Sequence, residues 1–96
     1  MQKLTPKEVA RHLATLTGWT ADDGALQKTF PFADYYRVMA FVNAVAFVAH
    51  ATDHHPDLAV HYGTVHVRFT THDAGGLTAL DFASAERVEQ LSSLRG

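Results

Sequence analysis

Six of the chain's seven histidines fall between residues 50 and 73, in the stretch HATDHHPDLAVHYGTVHVRFTTHD. Imidazole titrates near neutrality, so such a cluster is suited to giving and taking protons at ordinary pH. It is also a common metal ligand. His50 and His54 stand four residues apart at the end of a helical pattern, close enough to share a face, and that spacing suits a metal. A metal site needs a third ligand, however, and no Glu stands between the two to complete an HExxH motif. A protonated histidine beside the carbonyl-rich helix end explains the pair without a metal. We assign no metal ligands.

His54-His55-Pro56 raises a different question. Neighbouring side chains diverge in both helices and strands, so one cavity receives both rings only at a bend. Pro56 supplies it by pushing His55 out of helical geometry. For this tripeptide alone, a solvated corner without chemistry is the favoured reading. His72 lies in TTHDAGG, a polar loop able to fold back to the same corner, and three imidazoles around one cavity suit acid–base catalysis. His61, His66 and His12 read as surface residues. Asp57, Asp73 and Asp81 are candidate carboxylate partners, although a capping box already explains Asp81. The chain contains no serine nucleophile elbow, GxGxxG or GxxxxGK[ST].

The elements that must position these rings follow from local pattern. Thr5-Pro6-Lys7-Glu8 has the spacing of a helix start with a capping box, Val9, Leu13 and Leu16 form its apolar stripe, and Gly18 ends it. Asp23-Gly24 marks a hairpin between strands near Trp19 and Leu26–Phe30. A second helix runs from Ala33 to about Ala51. Its apolar residues occupy both sides: Tyr35, Val38, Val42, Val45 and Ala49 on one, Tyr36, Met39 and Phe47 on the other. One sheet covers only one side, so we expect the other to meet a second subunit; cover by the chain's own terminal helices is the alternative. Leu58–Tyr62 and Thr64–Thr70 read as a second hairpin about Gly63, with Val65, Val67 and Phe69 inward. Gly75-Gly76 is a turn, and a last helix opens at Thr78 with Leu80, Val88, Leu91 and Leu94 on one face. The fold class is α+β, in the order α-β-β-α-β-β-α, with a four-stranded antiparallel sheet carrying three helices on one face.

Composition bounds the rest. Ninety-six residues, 47% apolar and 19% charged, predict a single domain spanning 1–96. A chain this short gains noticeably from burial at a subunit interface, so an oligomer is expected. A net charge of −2 without a basic cluster argues against direct nucleic-acid binding. The absence of cysteine rules out disulfides and thiolate chemistry and fits a cytoplasmic location. The N-terminus has no signal-peptide pattern, and the longest apolar run, Val38 to Ala49, is too short for a membrane span.

The combined pattern His50-x3-His54-His55-Pro56-x5-Tyr62-x9-His72-x8-Asp81 resembles the signature of the pterin-4a-carbinolamine dehydratases, also called 4a-hydroxytetrahydrobiopterin dehydratases. The resemblance runs from about Phe30 to the final helix. It implies the α+β fold above, dimers formed through sheet edges or tetramers formed through the long helix, and loss of water from a 4a-hydroxytetrahydropterin to give quinonoid dihydropterin, without metal or redox cofactor. Carried over position by position, His54, His55 and His72 would be catalytic. Asp53, Thr70, Thr71, His50 and Asp81 would help bind the pterin. Many members have Glu where His50 stands and Trp where Leu58 stands. The competing expectation is a non-catalytic protein-binding or assembly module on the same scaffold; retention of all three histidines favours the enzyme.

Overall fold

The computed structural model describes residues 1–91. The elements are α1 (Pro6–Leu13), β1 (Thr20–Asp22), β2 (Ala25–Pro31), α2 (Tyr35–Thr52), β3 (Asp57–Val60), β4 (Thr64–Phe69), a 3₁₀ turn (His72–Ala74) and α3 (Ala79–Gln90). The four strands form one antiparallel sheet, as expected, in which the two hairpins join through β2 and β4 to give the order β1-β2-β4-β3.

Local chemistry explains most boundaries. Thr5 and Glu8 close a reciprocal capping box at the start of α1, and hydrogen bonding from the Thr5 backbone amide, with a contribution from the Thr5 side chain, holds the Glu8 carboxyl below its ordinary pKa. Asp23 and Gly24, with φ of 51° and 73°, turn the first hairpin in the left-handed conformations that its two-residue loop requires. Asp34 caps α2 by accepting from the Arg37 amide at 2.8 Å. Along β4 burial alternates, placing Val65, Val67 and Phe69 beneath the helices and His66 and Arg68 on the other face.

Several expectations shift. Helix α1 ends at Leu13, so Leu16 reaches the core from the turn that follows, ahead of Gly18. Strand β3 ends at Val60, leaving Tyr62 exposed at the hairpin turn. Helix α2 buries Val38, Phe41, Val45 and Ala49; Val42 and Met39 are half-buried, while Tyr35, Tyr36 and Phe47 are exposed. No terminal helix among the described residues covers those aromatics. The buried face of α3 is Asp81, Phe82, Ala85 and Val88 rather than the predicted leucines: Leu80 and Leu91 are half-buried, and Leu94 lies outside the described residues. The helix is rotated so that a carboxylate faces inward. His12 is also partly buried, stacked on Phe82 at 5.0 Å, and His66 bridges Thr29 and Gln27 at 2.8 and 2.9 Å.

The core is aromatic. Phe30 meets Phe41 at 4.9 Å, and Trp19 packs against Phe30 and Phe69. The Trp19 indole N–H donates to Glu89 Oε1 at 2.9 Å, and the same carboxylate pairs with Lys28. Trp19→Phe should therefore destabilise the fold by about 2 kcal/mol, from one hydrogen bond to a charged acceptor and lost ring volume, read as a lower urea midpoint at unchanged slope. No helix among the described residues is long and apolar enough to cross a membrane.

Candidate functional site

The end of α2 determines where the paired histidines point. Asp53, the residue after the helix, takes the left-handed conformation (φ 51°, ψ 40°) and donates its backbone N–H to the last-turn carbonyls; the His54 N–H returns to the Ala49 carbonyl at 3.1 Å. This reversal takes His54 off the helix surface. His50 stays on the last turn, exposed, so the shared helix face expected for these two residues is not formed. The His54 ring instead stacks on Phe69 with centroids 5.7 Å apart and planes 13° from parallel.

Its Nε2 lies 2.6 Å from Oδ1 of Asp81, whose side chain is fully buried. The other oxygen, Oδ2, accepts from the Thr71 hydroxyl at 2.7 Å and from the Thr78 amide at 2.9 Å. Thr78 turns its own hydroxyl to Thr71 at 3.0 Å. Both readings of Asp81 therefore hold: it closes the start of α3 and it grips a histidine. A carboxylate only accepts hydrogen bonds, so Nε2 of His54 carries a proton toward Asp81 and Nδ1 is the nitrogen left for exchange.

His55 follows on the exposed side of the corner, and Pro56 directs the chain into β3. At the far end of β4, Thr70 donates its hydroxyl to the Gly24 carbonyl at 2.7 Å, tying the strand to the first hairpin turn. A bridge between Thr71 and Gly76 closes the loop that carries His72. The result is an open cleft of about 300 Å³ lined by Asp53, His54, His55, Thr70, Thr71, His72 and Asp73. The three histidines singled out in the sequence thus share one cavity, together with Asp53, Thr70 and Thr71. Asp81 supports it from behind, and His50 is not among the lining residues. Asp73 had been named only as a possible partner of a histidine, while Phe69 and Thr78 gave no sequence signal beyond strand alternation and helix capping.

The volume falls at the small end of the usual range for small-molecule sites and accommodates a bicyclic ring. Two imidazoles on the open side and one backed by a carboxylate offer several proton donors and acceptors within one cavity. Among the described residues no group of three or more His, Cys, Asp or Glu side chains is arranged to hold a metal ion.

The sequence profile of the family Pterin 4 alpha carbinolamine dehydratase matches residues 2–91. A protein of Xanthomonas campestris pv. campestris (strain 8004), named "Putative pterin-4-alpha-carbinolamine dehydratase", is 54% identical over 91 residues, which are 93% of this chain and 77% of that protein. The crystal structure of a transcriptional coactivator/pterin dehydratase from Brucella melitensis superposes with a TM-score of 0.89 at 31% identity, covering 99% of this chain and all of that one (100%). A pterin dehydratase-like protein described as a RuBisCO assembly factor in the alpha-carboxysome superposes with a TM-score of 0.64 at 25% identity, over 81% of this chain and 87% of that one. With the family profile spanning nearly the whole chain and the fold shared with solved members, the chain belongs to the pterin-4a-carbinolamine dehydratase family.

Proposed function

We propose that the chain, acting as one domain in the cytoplasm, eliminates water from a 4a-hydroxytetrahydropterin. In this reaction the C4a–O bond breaks, the hydroxyl leaves as water with a proton from a general acid, and a base removes the proton on N5 as the C4a–N5 double bond forms. Proton transfers are all it requires, so no metal or redox cofactor is called for. The observation that supports the reading is the convergence of His54, His55 and His72 on a single cleft, with Asp81 behind one of them.

In this proposal His54 is the base. Asp81 holds its Nε2–H, orients the ring and stabilises the imidazolium formed when Nδ1 takes the N5 proton. His55 and His72, on the open side, supply the proton to the departing hydroxyl. Asp53 faces the amino and ring N–H donors of the pterin, and Thr70 and Thr71 shape the wall beside it. The test is a stopped-flow assay with chemically generated 4a-hydroxytetrahydropterin. His55→Ala, at an exposed position, is expected to lower turnover at least ~10-fold with the fold intact; undiminished activity would remove His55 from the mechanism.

The same scaffold supports a second reading, since one structural neighbour is described as an assembly factor. An assembly module would bind a partner protein and leave the pterin substrate unconverted in the same assay. We further propose that the exposed aromatics of α2, Tyr36 and Phe47, join copies of the chain into a homodimer or homotetramer.

A further inference from the structure

Thr71 lines the histidine cleft, yet its hydroxyl is turned to Oδ2 of Asp81 at 2.7 Å, and Oδ1 of that carboxylate holds Nε2 of His54 at 2.6 Å. Proton accounting fixes the direction of these contacts. A hydroxyl has one proton to give and an ionised carboxylate only accepts, so the Thr71 proton lies on Oδ2. In the 3.0 Å contact between the two threonine hydroxyls Thr78 is therefore the donor. The line of hydrogen bonds runs one way, from Thr78 to Thr71 to Asp81, each bond polarising the next, and it leaves the Thr71 hydroxyl no proton for a bound pterin. Thr78 is wholly buried and is not among the lining residues, so its hydroxyl reaches the cleft only through Thr71 and Asp81.

The outer torsion of an aspartate is broad, so a single hydrogen bond leaves the plane of the carboxylate free to swing. Two donors from different segments stop it here: the Thr78 amide at the start of α3 and the Thr71 hydroxyl beyond the end of β4. The Thr71 hydroxyl is itself a fixed point. Its backbone carbonyl accepts from the Ala74 amide at 3.1 Å and the Gly76 amide at 3.4 Å, and its own amide donates to the Gly76 carbonyl at 3.3 Å. We propose that Thr71 is a positioning residue: acting through Asp81, with Thr78 orienting its hydroxyl, it fixes the tautomer and aim of the His54 ring. The proposal rests on the dehydratase reading for the part His54 takes in the reaction.

Thr71→Val removes the hydroxyl and keeps a β-branched side chain that suits the extended backbone at this position (φ −113°, ψ 94°). In the stopped-flow assay kcat should fall about tenfold with KM within about twofold of wild type, the pattern of a misaimed base rather than a lost substrate contact. The His54 Nε2–H proton, observed by NMR, should broaden as its exchange with water quickens. Thr71→Ser restores the hydroxyl and should return both readouts to wild type. Thr78→Val, out of reach of any substrate, should lower kcat about threefold and broaden the same signal. An unchanged kcat in Thr71→Val, a KM effect larger than the kcat effect, or a loss that Thr71→Ser does not repair overturns the proposal. If Thr71→Val does not fold, Thr78→Val decides by kcat and the Nε2–H signal. If the wild type turns over no 4a-hydroxytetrahydropterin, the dehydratase reading alone falls, and an Nε2–H signal left unchanged in the valine variants overturns the positioning role.

Discussion

Asp81→Asn is expected to lower dehydratase turnover by about 10²–10⁴-fold in a protein that still folds. The expectation follows from which atoms the carboxylate holds. Oδ2 accepts from the Thr78 amide and from the Thr71 hydroxyl, so the introduced side chain must keep its carbonyl oxygen there. Its NH₂ group then faces His54 Nε2 in place of Oδ1. A donor facing Nε2 forces the neutral ring into the other tautomer, with the proton on Nδ1. The nitrogen proposed to receive the N5 proton then already carries one, and the carboxylate that would stabilise the imidazolium is gone. Loss of correctly oriented base catalysis sets the magnitude. Nitrogen NMR of the imidazole should report the exchanged tautomer, and the stopped-flow rate should fall with it. A rate within threefold of wild type, with the tautomer exchanged, would exclude His54 as the base.

If α2 forms the proposed interface, Phe47→Glu is expected to leave a folded monomer under conditions in which the wild type is an oligomer. Phe47 is 75% exposed and Tyr36 is 82% exposed. Eleven residues, three helical turns, separate them, so both lie along one side of α2. Burying a Phe side chain contributes about 2 kcal/mol, and a two-fold interface contains it twice, so its loss weakens association by about a thousandfold before any repulsion between the introduced carboxylates. Met39 lies on the same side of the sequence pattern but packs partly against the core, so a charge there would also disturb folding. Light scattering gives the mass and circular dichroism the fold; an unchanged mass would place the interface elsewhere.

Elements with strong local signals were legible in the sequence: the capping box at Thr5, the Asp23-Gly24 turn and the alternation along β4 each depend on neighbours within a few residues. The convergence of three histidines was legible only in outline, as a corner at Pro56 and a polar loop long enough to return to it. Two features escaped because long-range packing decides them. The left-handed turn at Asp53, which separates His50 from His54, is made by an aspartate where glycine is the usual indicator. The rotation of α3 follows from Asp81 reaching His54, so the apolar spacing of its leucines pointed to the wrong face. Phe41 and Phe82 were likewise left out of the expected core, lying one residue from Val42 and two from Leu80 in stripes that looked sufficient.

Helix α3 is anchored at both ends by carboxylates serving different neighbours. Near its start Asp81 engages His54, and near its finish Glu89 engages Trp19 and Lys28. Eight residues of helix separate these moorings, about 12 Å of rigid rod. Such a strut has little freedom to slide or spin, so the aim of the cleft's innermost imidazole is inherited from an indole and an ammonium lying well outside the cleft.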